Sequence, residues 1–242
     1  MKRVCFCTGS YGLFCLTSLV LLLQATNINA QKTPLKDITE AMNTEYPMLK
    51  EGAGKNKKIL PLFEKQILFA LSFFPEFKET KIHFKLKKSS NGIISTRPSW
   101  GSIFRRSSKR TYIVIINDST GGRSFPVFRN GGVNGQVGIL GHELCHILYF
   151  NKKTGLGLIG LGIRHLSTKF MDGFENRTDS VDIERGLGYQ LIDWNIYLRK
   201  AFGMQHPEEG PDPFFGPQKR ERYMSPTSIR KAIAKNPLYN QH

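Results

Sequence analysis

His142, Glu143 and His146 form an H-E-x-x-H stretch, and that spacing points to hydrolysis assisted by a divalent cation. Two histidines four residues apart project from one face of an α-helix, so both imidazoles can reach a single ion. Glu143 lies beside them, where it can take a proton from water. A zinc ion held this way polarises a carbonyl and lowers the pKa of its water to about 7. Val137, Ile139, Leu140, Leu144, Ile147 and Leu148 surround the motif with apolar positions, which predicts a buried helix. Gly132, Gly135, Gly138 and Gly141 recur every third residue. Gly138, one turn before His142, is expected to leave open space on the ligand face, and the others to permit close packing or form the helix entry.

A hydrolytic zinc site needs a third protein ligand. An extended motif would place a third histidine six residues after His146, but Lys152 stands there. The remaining candidates are His165, Asp172, Glu175 and Glu184, and only Glu175 is followed by an acid, Asp179, four residues on. On a second helix these two share a face. Glu175 can then complete a His₂Glu set while Asp179 accepts a hydrogen bond from the outer nitrogen of a ligand histidine. His165, Tyr149 and Tyr189 are candidates to stabilise an oxyanion, although each also suits ordinary packing.

The pairing of H-E-x-x-H with a later E-x-x-x-D resembles the gluzincin group of zinc metallopeptidases, over about residues 134–195. Carried over, the resemblance implies His142, His146 and Glu175 as zinc ligands, Glu143 as general base and Asp179 as the residue that orients a histidine. It also implies a peptide or protein substrate.

The elements that must position these residues read as an α+β, zincin-like fold: a small mixed sheet packed on the active-site helix, with further helices C-terminal to it. Leu60–Phe74 is an apolar helix closed by Pro75, after a polar and mobile segment from residue 31. Lys81–Lys87 alternates Ile82, Phe84 and Leu86 with charged positions and His83, as a half-exposed strand does. Thr111–Asn117 is a more buried strand, and Ile93–Phe104 adds a short one interrupted at Pro98. An exposed edge of such a sheet can hold an extended substrate by main-chain hydrogen bonds. Thr120–Asn134 is a Gly-rich loop entering the motif helix, and Thr154–Ile163 is an apolar wall or packed turn. Glu175–Arg185 forms the second metal helix, ended by Gly186 and Gly188; Tyr189–Ala201 and Pro226–Lys235 form two more.

Lys2 and Arg3 precede the apolar run Tyr11–Leu23, which gives way to a polar stretch ending at Ala30. Residues 1–30 read as a signal peptide cleaved after Ala30, or as an uncleaved anchor, and residues 31–242 as a single domain with a basic C-terminal extension. The expected location is outside the cytoplasm: periplasmic, extracellular or membrane-associated. Cys5, Cys7 and Cys15 fall in that leader. Cys145 alone remains, so no intrachain disulfide can form, and its place between the histidines suits core packing. The sequons at Asn117 and Asn176 are expected to stay unmodified, since a glycan on Asn176 would stand beside Glu175.

Lys and Arg total 35 against 19 Asp and Glu, a formal net charge of +16. The charge is dispersed, and neither an aromatic RNA-binding motif nor zinc-finger spacing accompanies it, which disfavours nucleic acid as partner. Anionic envelope polymer or a membrane surface suits such a field. Two further functions fit the residues: a zinc amidase acting on cell-wall or other non-protein amides, and a basic binding protein with a non-catalytic zinc site.

Overall fold

A computed structural model of the chain describes residues 32–87, 92–118, 126–210 and 221–240. The leader expectation lies outside the described residues, as does part of the Gly-rich loop. Within the described residues the protein is α+β, with seven α-helices and one four-stranded mixed sheet. In chain order they are α1 (Thr39–Gly52), β1 (Lys57–Lys58), α2 (Glu64–Leu71), β2 (Lys81–Lys87), β3 (Ile94–Pro98) and β4 (Thr111–Asn117). There follow α3 (Val133–Asn151), α4 (Gly155–Arg164), α5 (Thr168–Glu184), α6 (Gly188–Ala201) and α7 (Pro226–Lys235). None of the described helices is long and apolar enough to cross a membrane.

The strand order is β1-β2-β4-β3. β1, β2 and β4 run parallel, and β3 returns antiparallel to β4 with Ile94 opposite Ile116 and Pro98 opposite Tyr112. Pro98 has no N–H to donate, which suits the end of an edge strand. β2 buries Ile82 and Phe84, but Leu86, expected on the same face, is exposed because the strand outruns the core there. One apolar cluster joins α2, β2, β4 and α3 through Leu68, Phe69, Ile82, Tyr112, Ile116, Leu140 and Leu144. A smaller one, with Ile183, Leu191, Ile229 and Ile233, fastens α7 against α5 and α6.

The Leu60–Phe74 helix is α only over Glu64–Leu71, after a 3-10 turn at Pro61–Phe63, and β3 ends at Pro98 rather than resuming toward Phe104; three further segments differ from their sequence reading. The polar stretch expected to be mobile contains α1, which buries Met42 and Leu49 behind the buried cap residue Ile38; Ile38 N–H donates to Asn134 Oδ1 at the head of α3. The Thr154–Ile163 wall is the helix α4, capped by Thr154 Oγ1, which accepts the Gly157 N–H at 3.1 Å. The second metal helix begins at Thr168, a full two turns before Glu175, with Ser167 as its cap. Its end is as expected at Gly186, whose φ of +98° is open to glycine. Gly188 instead opens α6, and its N–H donates to the Tyr239 hydroxyl.

Glycines on α3 set how near α5 and α6 can approach. A Cβ on Gly138 would lie 2.4 Å from the backbone of Gln190, and one on Gly141 2.3 Å from Asp182 Oδ1. Gly138 therefore makes room for α6 rather than for a cation, contrary to the expectation of open space on the ligand face. The bare face of α3 lets α6 pack directly against its backbone, which holds the motif helix at fixed depth between sheet and C-terminal helices.

Candidate functional site

α3 is buried around almost its whole circumference, and His142, Glu143 and His146 are all shielded from solvent. Burying these polar groups is costly unless each finds a partner. Their donor atoms lie within 4.8 Å of one another, a group able to hold a metal ion.

α5 supplies the partners. Glu175 Oε2 lies 3.1 Å from His142 Nε2 and 3.3 Å from His146 Nε2. Tetrahedral ligands about 2.0–2.1 Å from one ion stand about 3.3 Å apart, so Glu175 lies near enough to both imidazoles to join them on a single ion. Glu143 contributes differently: its Oε2 is buried and has no hydrogen-bond partner among the described residues. Glu175 touches both imidazoles, whereas Glu143 keeps a buried acceptor for something else.

The outer nitrogens are fixed as well. His142 Nδ1 donates to Asp179 Oδ1 at 2.7 Å, and the second Asp179 oxygen accepts the Met224 N–H at 2.7 Å. Thr178 Oγ1 donates its single proton to the Phe174 carbonyl and stands 3.5 Å from His146 Nδ1, where only its lone pairs are available. These contacts favour a proton on Nδ1 and aim both Nε2 atoms inward at Glu175. Phe174 stacks on His146 with ring centroids 5.0 Å apart and fixes its plane.

The charge states follow from these contacts. Burial alone would lower the pKa of His142, but Asp179 and Glu175 outweigh it and raise it well above the ordinary histidine value. For Glu175, burial acts to raise the carboxyl, and the two histidines overcome it and hold it well below the carboxylate range. Behind α3, Asp182 is wholly buried; desolvation pushes its carboxyl well above the usual value, and its Oδ2 has no partner among the described residues.

A cavity of about 250 Å³ opens beside these groups, lined by His142, Glu143, Asp179 and Tyr223 and by apolar side chains including Ile93, Ile94, Ile139 and Trp194. Edge strand β3 thus borders the cavity. Tyr223 comes from the segment before α7, with its ring 5.9 Å from that of His142. Burial around its hydroxyl and the nearby carboxylates of Glu175, Glu143 and Asp179 raise its pKa well above the tyrosine norm, so it remains a proton donor. Arg222 Nε donates to Asp172 Oδ1 at 2.9 Å, which ties the same segment to α5.

The structure therefore brings together His142, Glu143, His146, Glu175 and Asp179. Other candidates lie elsewhere. Asp172 is engaged by Arg222. His165 packs on Phe174, one ring removed from His146. Tyr149 packs on Phe174 too, and Tyr189 meets Tyr239 beside α7. Thr178 and Tyr223 escaped the sequence reading. Thr178 lies between the two acids of the E-x-x-x-D pattern and was open to the same spacing argument, whereas no local signal marks Tyr223. Cys145 is buried with its thiol pKa raised by desolvation, as a core residue. The Asn176 sequon lies within α5 with Thr178 buried. Set against protein-family models, curated proteins and solved structures, the chain matches none.

Proposed function

We propose that the protein is an exported zinc peptidase of the gluzincin type, with His142, His146 and Glu175 as ligands and Glu143 as general base. The observation that carries this reading is the convergence of two Nε2 atoms on one Glu175 oxygen, beside a Glu143 oxygen that is buried and unpaired. An ion in that donor set supplies Lewis-acid polarisation of a scissile carbonyl and acidifies water. Glu143 takes the proton of the attacking water on its unpaired oxygen and delivers it to the leaving amine. Asp179 and Thr178 keep the histidine lone pairs turned inward. Tyr223 donates its hydroxyl hydrogen to the oxygen that becomes negative as the carbonyl is attacked. The main chain of β3, last in the sheet order, offers an extended peptide hydrogen bonds, and the apolar cavity takes a side chain.

The test compares the native chain with Glu143→Gln for bound zinc and for hydrolysis of a mixed peptide library. One zinc per chain in both, with turnover only in the native chain, is the expected result. Peptide hydrolysis by Glu143→Gln removes Glu143 from the mechanism. Zinc with no peptide cleavage, but with hydrolysis of cell-wall fragments, makes the protein an amidase.

A further inference from the structure

We propose that the face built by Trp100, Phe104 and the outer side of α4 docks on an anionic lipid surface. This is independent of what the metal site does.

α4 is apolar on every side, yet protein covers only one of them. Leu158 and Leu161 point into the core, while Leu156, Ile159 and Ile163, at i, i+3 and i+7, form an exposed stripe that Leu166 continues. The stripe has neighbours of its own kind. A Cβ on Gly155 would lie 2.8 Å from the Phe104 ring, so α4 starts against Phe104. Trp100, Ile159, Ile163 and Leu166 line one apolar cavity of about 400 Å³. Trp100, Phe104, Leu156 and Leu166 are between 71 and 86 % exposed. Half of the large apolar side chains exposed among the described residues gather at this face. Such a concentration marks an interaction surface.

Charge selects the occupant. Residues 92–117 carry five cations and residues 150–171 four; the first acids beyond them, Asp118 and Asp172, are engaged by Arg129 and Arg222. Of the cations in these two segments only Arg110 is buried, with its guanidinium given to the Arg105 and Phe150 carbonyls. An apolar face whose own segments are purely cationic fits a bilayer with negative headgroups, where apolar insertion and basic attraction add. A second copy would bring the same cations against one another, and a soluble polyanion would leave the apolar stripe in water.

The chain's two tryptophans provide the readout, because Trp194 is buried and Trp100 is not. Full-length protein is titrated with vesicles of phosphatidylglycerol and phosphatidylethanolamine, and in parallel with phosphatidylcholine alone. The expected result is a blue shift of Trp100 emission and loss of acrylamide quenching with the anionic vesicles only, weakened by salt and absent in Trp100→Phe. The triple variant Leu156→Glu, Ile163→Glu, Leu166→Glu, checked by circular dichroism for unchanged helix content, should lose the anionic-vesicle shift by at least about tenfold in lipid required. Vesicle binding with Trp100 still quenched would mean that another part of the chain binds, and overturns the proposal. So does an equal shift with phosphatidylcholine. A shift that appears on concentrating the protein without lipid makes the face a contact between copies, and binding to a soluble polyanion with no vesicle-induced shift makes it a polymer site; either overturns the proposal.

Discussion

His142 and Asp179 are joined at 2.7 Å through Nδ1 and Oδ1, and the same carboxylate holds the Met224 N–H through its other oxygen. One side chain therefore orients a histidine of the candidate metal group and anchors the segment that carries Tyr223. Asp179→Asn should weaken zinc binding by about 10–100-fold, because the amide no longer fixes the His142 tautomer. Chelator competition measures it, and unchanged affinity would show that His142 needs no orientation. Peptide turnover at saturating zinc should fall as well, through Tyr223.

Zinc should stabilise the protein more as the pH rises. Without metal, His142 is held above its ordinary value of 6.5, so its contribution is complete below that pH and is lost as the pH climbs through the raised value. Glu175 is depressed from 4.5, so its contribution is complete above that value and is lost only in stronger acid. The metal-free site thus supports the fold best between 4.5 and 6.5. Zinc must displace the proton on His142 Nε2, and that competition eases with rising pH. Melting curves with and without zinc at about pH 5.5 and about pH 8 should show the larger increment at the higher pH. Equal increments would exclude His142 as a ligand.

Tyr223→Phe should lower kcat by about 10²-fold with little change in KM, as loss of a donor needed only in the transition state does. Zinc content should stay unchanged. A change confined to KM would assign Tyr223 to substrate binding.

Gly138→Ala should destabilise the fold although alanine is the better helix former by about 1 kcal/mol. The new methyl meets the Gln190 backbone at 2.4 Å, and backbone cannot swing aside as a side chain tip can. Overpacking of this kind costs about 1–3 kcal/mol, and here it should exceed the propensity gain. Thermal melting should show a fall of a few degrees at about 2–4 °C per kcal/mol. A higher melting temperature would mean that α6 yields.

What could be read from the chain was what repeats at short range. His142, His146, Glu175 and Asp179 were legible because two i, i+4 pairs each present one face, and β2, β4 and α7 have the boundaries their patterns indicated. α1 was missed because its apolar positions are few among polar ones, and it folds by resting on other elements. α4 was missed because its glycines lower helix propensity and mimic a turn. Tyr223 could not be found at all: the Asp179–Met224 and Asp172–Arg222 contacts that bring it to His142 are both long-range. The direction in which Gly138 faces was likewise decided by where α6 lies.

The anchoring of Met224 on Asp179 also sets an order of events. α3 and α5 precede the Tyr223 segment in the chain, so a growing polypeptide carries His142, His146, Glu175 and Asp179 before it carries the tyrosine of the cavity. The His142, His146 and Glu175 side chains are thus complete in sequence before that tyrosine, whose segment can dock on Asp179 only afterwards.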